Sequence, residues 1–401
     1  DEVGLWERRH ETGAQVMRVC GDAAPARHGV GGERHPRDSG RTGHDLTQQS
    51  VDRMTCSRSG EDRKAIRLGD ATTRTVVMLQ RLNQRLLLRP EDVEPTRDDF
   101  EVIGTFNPGA VAVNGDVVLL VRVAERPAER REGWVPLARW DPNEQLTVDW
   151  VEAEGLDLRD PRGVVFPDGF SRLTSVSHIR VALSSDGLTI DEISGPVFAP
   201  STEWGEYGIE DARVTKLGGR YYITYATVSR HGVSAALAST ADFVEYTRHG
   251  VVFPPENKDA VLFPELIQGD YVALHRPATS TFSPPQRWLA RSEDLIDWGR
   301  HQHLAGGIHA WEGGRVGAGP PPIRTDEGWL EIHHGSSRAG PGGTGIYAGG
   351  AMLLHLEDPG RVLRRSAHPI LVPETDYELQ GFVGGVVFPT GVVDTGETLL
   401  I

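Results

Sequence analysis

The chain repeats itself. Five times between residues 110 and 401 a short apolar strand enters a glycine-centred turn and leaves as a second apolar or aromatic strand. The five segments are 110–120 around Gly115, 214–225 around Gly218 and Gly219, 266–274 around Gly269, 323–332 around Gly328, and 392–401 around Gly396. The first four are each followed by another apolar run that ends in a polar turn: 181–186, 236–242, 289–294 and, more loosely, 351–358. Two hairpins per unit make a four-stranded antiparallel sheet, and such a unit buries its faces only against copies of itself. Five units predict an all-β, five-bladed β-propeller; a sandwich with accidentally similar hairpins is the alternative. The last unit breaks off at Leu399-Leu400-Ile401, in mid-strand, so the expectation is a C-terminally truncated propeller.

The repeats begin only after about residue 76. Residues 1–76 are rich in Arg, His, Gly, Asp and Ser and show no sustained period of 2 or 3.6. They read as a disordered extension or a mis-assigned gene start, with translation from Met54 or Met78, and residues 77–401 read as the catalytic domain. The first 76 residues carry 13 of the 42 Lys and Arg and 12 of the 57 Asp and Glu, which leaves the remainder at a formal −16. An acidic body is a poor nucleic-acid binder, because phosphate contacts need clustered basic residues. No apolar run is long enough to span a membrane, and no signal peptide is visible. Cys20 and Cys56 do not amount to a disulfide framework. The chain therefore reads as cytoplasmic, with a small neutral substrate, no nucleic-acid or membrane partner, and a homo-oligomer left open.

In a propeller, loops and inner strands from separate blades converge on a central channel. The richest segment is Glu210-Asp211-Ala212-Arg213, just ahead of the turn at Gly218 and Gly219. It holds two acids and a guanidinium on a rigid sheet, where catalytic groups are commonly carried. Asp211 is a candidate catalytic carboxylate; its structural alternative is a turn cap paired with Arg213. Glu210 reads as a structural partner or a hydroxyl ligand. The other polar segments are Phe106-Asn107-Pro108-Gly109, Arg122, Asn257-Lys258-Asp259, Glu265, His275-Arg276-Pro277, Arg315 to Pro322 and His333-His334. The two adjacent histidines point to opposite faces of a strand, so they cannot chelate one metal together, and only His334 is expected at the channel. His301 and His303 lack a third ligand. Trp204, Tyr207, Trp311 and Tyr347 are aromatic candidates for stacking on a ligand, though most aromatic residues of a propeller are core.

These segments together resemble the mannoside phosphorylases and β-mannosidases of glycoside hydrolase family 130. The resemblance covers residues 81–401 and is carried by the Asn107 loop, Arg122, Glu-Asp-x-Arg at 210–213, His-Arg-Pro at 275–277 and Gly-x-Gly-Pro-Pro-Pro at 317–322. It implies a five-bladed propeller that cleaves β-mannosidic bonds with inversion, by phosphate in some members and by water in others. It implies that Asp211 is the general acid, since a glycosidic oxygen leaves poorly unless protonated, and that it reaches that oxygen through a sugar hydroxyl; it implies that Asn107 and Arg122 hold the mannose, with Glu210, Arg213 and His334 as further substrate contacts. It implies that Lys258, Arg276 and Arg315, with His275 beside them, sit where phosphorylases bind phosphate. Asp259 departs from that pattern, since a carboxylate facing inward would repel phosphate. Asp259 or Glu265 could instead serve a hydrolase as the base that activates water; their structural alternatives are an outward partner of Lys258 and an ordinary turn acid. The favoured expectation is phosphorolysis of manno-oligosaccharides to α-mannose 1-phosphate, with no metal or organic cofactor and inorganic phosphate as co-substrate. A β-mannosidase is the alternative within the family, and a non-catalytic sugar-binding propeller the alternative outside it.

Overall fold

The computed structural model describes residues 12–20, 64–67 and 76–401, apart from 142, 144, 145, 201, 202, 279–281, 339–344 and 382. Nearly all of its regular structure is β; among the described residues the one α-helix is the single turn Asp376–Leu379. Blade one is a meander of Phe100–Val113, Asp116–Pro127, Val176–Ser184 and Glu192–Phe198. Blade two runs Ile209–Leu217, Arg220–Ser229, Gly232–Thr240 and Tyr246–Phe253, and blade three Asn257–Leu262, Tyr271–Pro277, Arg287–Ser292 and Gly299–Ala305. Blade four comprises Arg315–Ala318, Gly328–Ser336, Tyr347–Leu354 and Val362–Arg365, with Ile323–Thr325 also pairing to its second strand. In a fifth sheet, Val393–Asp394 pairs with Leu399–Leu400, which pairs with Thr12–Cys20, which pairs in turn with Val76–Leu88.

The repeats in the sequence have local causes. The first hairpins of blades one and two turn through Asn114-Gly115 and Gly218-Gly219, where all four residues have positive φ. Two consecutive left-handed residues make the turn whose twist matches paired strands, and Asn and Gly adopt it most easily. The polar turn after each third strand also recurs as a hydrogen-bonded unit. Asp186, Asp242 and Asp294 each accept two backbone amides from the residues that follow. Ser184, Thr240 and Ser292 each accept the amide three residues on. Blade four substitutes His355, whose ring nitrogen accepts the amides of Glu357 and Asp358, which explains the looser match there.

The core is a ring of apolar clusters between neighbouring blades. Leu120, Ile179 and Phe198 of blade one pack on Ile209, Ile223 and Tyr225 of blade two. Leu237 and Phe253 of blade two meet Leu262 and Ala273 of blade three. Val261, Leu274 and Leu289 of blade three meet Trp329 and Met352 of blade four. Ile332 and Leu371 meet Leu399, and Leu88, Val117 and Val121 meet Val393. Each fully buried aliphatic side chain contributes roughly 1.5–3 kcal/mol of transfer free energy, so the blades are stabilised mainly by one another.

One feature interrupts the repeat. Between the second and third strands of blade one the chain leaves the sheet for two hairpins, Trp134–Trp140 with Leu146–Glu152 and Gly163–Val165 with Ser171–Leu173. This insertion has its own small core around Val135, Leu137 and Val164. No helix among the described residues is long and apolar enough to cross a membrane.

The expected extension over residues 1–76 is described at only two stretches, Thr12–Cys20 and Lys64–Arg67, both strands of the fifth sheet. The remainder of that expectation, with Cys56, lies outside the described residues.

Candidate active site

Three inner strands carry the same irregularity. The pairing register slips between Phe106 and Gly109, between Glu210 and Arg213, and between Lys258 and Val261. At each slip one residue is left-handed: Asn107 at φ 51, Asp211 at φ 53 and Asp259 at φ 54. A β-bulge turns a side chain out of the sheet's alternation, and Asn and Asp are the side-chain-bearing residues that tolerate this backbone best. The equivalent bulges of blades one, two and three therefore aim an amide and two carboxylates at the hub. The cross-strand partners repeat as well, since Phe106 pairs with Arg122 and Lys258 with Arg276. Blades one and three thus carry a guanidinium at the same position.

Arg122 and Asn107 converge on Asp211. Asn107 Nδ2 donates to Asp211 Oδ1 at 2.8 Å, and Arg122 Nη1 donates to the same oxygen at 3.0 Å. Arg122 Nη2 donates to Glu210 Oε1 at 2.7 Å and its Nε to Ser177 Oγ at 3.0 Å, while the Phe106 ring lies 4.6 Å from the guanidinium carbon. Lys258 Nζ stands 3.4 Å from Asp211 Oδ2 and 3.9 Å from Glu210 Oε2. Burial alone would raise the Asp211 pKa, but the Lys258 ammonium, the Arg122 guanidinium and the Asn107 amide outweigh it and hold the carboxyl below the usual carboxylate range. Burial opposes the charge of Lys258 as well, yet Asp211, Asp259 and Glu210 raise its pKa on balance. These five residues line one cavity of about 540 Å³, a size suited to a small ligand.

A second layer lies beneath. Arg276 Nη1 pairs with Asp259 Oδ2 at 2.6 Å, and His334 Nε2 is 3.2 Å from the same oxygen and 3.1 Å from Arg276 Nη1. Asp259, Arg276 and His334 are all buried. Burial would raise the Asp259 pKa, but Arg276 and then His334 drive it well below the carboxylate norm. Burial lowers the His334 pKa to about 4, although Asp259 opposes the shift, so the ring is neutral at pH 7. Gly317 of blade four makes room for this cluster, because a Cβ there would lie 2.2 Å from Asp259 Oδ2 and 2.5 Å from His334 Nε2.

Several expectations are corrected by these positions. Asp259 is not an outward partner of Lys258; it faces inward, where Arg276 compensates its charge. Arg213 does not line the cavity. It is fully buried, donates from Nε to the Asp211 carbonyl, and from Nη1 to the carbonyls of Ala318 and Gly319, and so ties blade two to blade four. His275 does not face the cavity. Strand alternation sends it the other way from Arg276, where it stacks on Phe253 at 4.4 Å and meets Asn257 and His301. Burial there lowers its pKa to about 3. Glu265 is half-exposed on the turn before Gly269 and pairs with Arg324, so it does not line the cavity. Arg315 is half-buried beside the cavity, with its guanidinium carbon 5.8 Å from the ring of the cavity-lining Tyr347.

Of the aromatic candidates, Tyr347 lines the cavity, whereas Trp204 packs on His231, Trp311 on His333, and Tyr207 under Arg172. His333 and His334 do point to opposite faces: His333 lies between Glu312 and Glu331, away from the hub. Among the described residues no three His, Cys, Asp or Glu side chains converge as a metal site. The sequence reading missed the walls of the cavity. One wall is the blade-one insertion, with Asp160 and Arg162, which pair at 2.6 Å; the other includes Tyr377, Glu378 and Phe388. None of these stands in a repeated unit, which was the signal used to find the rest.

Comparison with known proteins agrees with this geometry. Residues 170–401 match the family described as beta-1,4-mannooligosaccharide phosphorylase, glycoside hydrolase family 130. A β-1,2-mannobiose phosphorylase of Listeria innocua is 42% identical over 330 residues, spanning 80% of this chain and 91% of its own. The chain belongs to glycoside hydrolase family 130. A 1,2-β-oligomannan phosphorylase of a Thermoanaerobacter species is 37% identical over 230 residues, 56% of this chain and 74% of its own. The solved structure of the Listeria innocua enzyme in complex with β-1,2-mannobiose superposes with a TM-score of 0.73, at 42% identity, covering 77% of this chain and 88% of that one. The family membership accounts for both the ring of sheets and the polar hub.

Proposed function

We propose that this family 130 enzyme cleaves β-mannosidic linkages of small manno-oligosaccharides by phosphorolysis, with inversion, giving α-mannose 1-phosphate. Asn107 and Arg122 hold the mannose unit over the floor of the cavity. Asp211 supplies the proton to the leaving oxygen, passed through a mannose hydroxyl. A phosphate oxygen bonds to the anomeric carbon from the opposite face while the glycosidic bond breaks, its electron pair going to the leaving oxygen. Lys258 is the phosphate's principal cation, with Arg276 and Arg315 adding positive charge nearby. Inorganic phosphate is the co-substrate, and no other cofactor is required.

One observation favours phosphate over water as the attacking group. Hydrolysis with inversion needs a second carboxylate free to activate water, and every carboxylate that lines the cavity is engaged. Glu210 is held by Arg122, Asp160 by Arg162, and Glu378 by the backbone amides of Glu374 and Thr375. The two residues considered as bases are also committed, Asp259 to Arg276 and Glu265 to Arg324. Phosphate brings its own nucleophile and needs no base. The substrate is taken to be β-1,2-linked, on the strength of the two relatives that act on such linkages.

The test is turnover of β-1,2-mannobiose and of β-1,4-mannobiose with and without phosphate. Mannose 1-phosphate formed only with added phosphate, and faster from the β-1,2 dimer, is the expected result. Free mannose released at the same rate in both conditions would overturn the reading in favour of a hydrolase. Sugar binding without turnover, unchanged by Asp211→Asn, would make the chain a binding protein.

A further inference from the structure

Both oxygens of Asp211 are occupied before any substrate arrives. Oδ1 accepts from Asn107 and Arg122, and Oδ2 faces the Lys258 ammonium. A general acid must carry a proton, and here the proton's place is taken by a cation. The three partners differ in freedom. Asn107 is fixed by its bulge, and Arg122 is fixed by Glu210, Ser177 and the Phe106 ring. Lys258 is a point charge on a flexible stem. Its side chain is 23% exposed, against 5% for Arg276 and none for Arg213. It is the cation of this cluster that can change partners.

We propose that inorganic phosphate draws Lys258 away from Asp211, and that this exchange of partner lets Asp211 take up the proton it later delivers. The proposal rests on the phosphorylase reading above. Lys258 lines the cavity and stands opposite Arg276 in the strand pair, so an anion in the cavity can reach the ammonium. A phosphate dianion attracts an ammonium more strongly than a single carboxylate does. Once Lys258 has moved, Oδ2 is free for a proton from solvent. After phosphate attack the leaving oxygen holds that proton, Asp211 is again a carboxylate, and departure of mannose 1-phosphate returns Lys258 to it. A mannoside bound without phosphate therefore meets an unprotonated acid. That arrangement suppresses loss of substrate to water.

The charged and polar groups that face this exchange are Asn107 and Arg122 from blade one, Glu210 and Arg213 from the strand of Asp211, and Asp259 and Arg276 around Lys258. Lys258 is the strongest of the groups that hold the Asp211 pKa down against burial. Its departure is the single change that moves that pKa furthest toward protonation.

The experiment is the pH dependence of turnover at limiting and at saturating phosphate, in the native enzyme and in Lys258→Met. The informative region is the basic limb, where rate falls as the acid loses its proton. In the native enzyme saturating phosphate should move this limb up by one pH unit or more. In Lys258→Met the phosphate KM should rise at least tenfold, and the limb should no longer respond to phosphate. The ionisation of phosphate itself affects both proteins alike and cancels in the comparison. A limb that moves in the variant as it does in the native enzyme would reduce Lys258 to a plain phosphate ligand and overturn the proposal. A limb that stays fixed in the native enzyme overturns it without recourse to the variant. Turnover independent of phosphate would instead remove the phosphorylase reading on which the proposal stands.

Discussion

Replacing Asp259 by Ala should unfold this protein more readily than any single change at the cavity surface. The carboxylate is 2.6 Å from Arg276 and fully shielded from water. At an effective dielectric of about 20, two unit charges at that distance attract by about 6 kcal/mol before desolvation is subtracted. Removing one partner of such a buried pair leaves the other charge uncompensated, which costs about 3–5 kcal/mol. The left-handed backbone at 259 adds roughly 1–2 kcal/mol, because Ala tolerates it less well than Asp. The expected loss is therefore about 4–7 kcal/mol, a large part of a typical folding free energy. Asp259→Asn keeps the backbone preference and one hydrogen bond to Arg276, so its loss should be smaller. Asp259→Ala combined with Arg276→Met removes both charges and should be less damaging than the two single changes added together, with a coupling of about 1–3 kcal/mol. Equilibrium urea unfolding followed by tryptophan fluorescence at pH 7 reads the native protein, the three single variants and the double variant. If Asp259→Ala shifts stability by less than about 1.5 kcal/mol, or if the two changes are additive within about 0.5 kcal/mol, the buried pair is not what holds the hub.

Four further outcomes follow from the same structure. Arg213→Met should cost about 3–5 kcal/mol by the same urea assay, because it strands buried carbonyls and removes a charge next to Asp259, while leaving the KM for phosphate and mannoside within about threefold in the folded fraction. Gly317→Ala should destabilise by about 1–3 kcal/mol through overpacking against Asp259 and His334, a loss visible as a lower melting temperature. Arg162→Ala should raise the KM for the oligosaccharide about tenfold with kcat little changed, since Arg162 lies on the cavity wall and contacts none of the residues that bind Asp211. Stability should fall between pH 6.5 and pH 4: burial lowers the pKa of His178 and His275 to about 3 and of His334 to about 4. The unfolded chain binds protons at these groups first, so each contributes about 2 kcal/mol of lost stability by pH 5, measurable as a falling urea midpoint. The carboxylates act later, because the stability Asp259 and Asp211 contribute above pH 3.8 is lost only as pH falls below that value.

The fold was legible because its repeats are made by local chemistry. Asn114-Gly115, Gly218-Gly219 and the Ser/Thr-x-Asp turns at 184, 240 and 292 fix where each strand stops, and the apolar alternation between them marks the faces that neighbouring blades bury. The cavity floor was legible for a related reason: Asn107, Glu210, Asp211 and Lys258 sit on inner strands of repeating units, and Arg122 on the second strand of blade one. Orientation was harder to read. Whether Arg213 or Asp259 points to the channel depends on a one-residue bulge, and a bulge reverses the alternation without leaving a mark that composition or period can reveal. The cavity walls were invisible for another reason, since Asp160, Arg162 and Tyr377 come from an insertion and a one-turn helix whose positions depend on tertiary packing alone.

The three left-handed bulges restrict what evolution can write at this hub. Positions 107, 211 and 259 share one backbone shape, and that shape admits Gly, Asn and Asp at little strain and resists larger or branched side chains. Each is a socket with an alphabet of about three letters. Exchanging an amide for a carboxylate in any socket alters the charge at the centre of the ring by one unit while the main chain stays where it is. Diversity of chemistry on this scaffold can therefore come from the order of a few small residues, with the sheets left untouched.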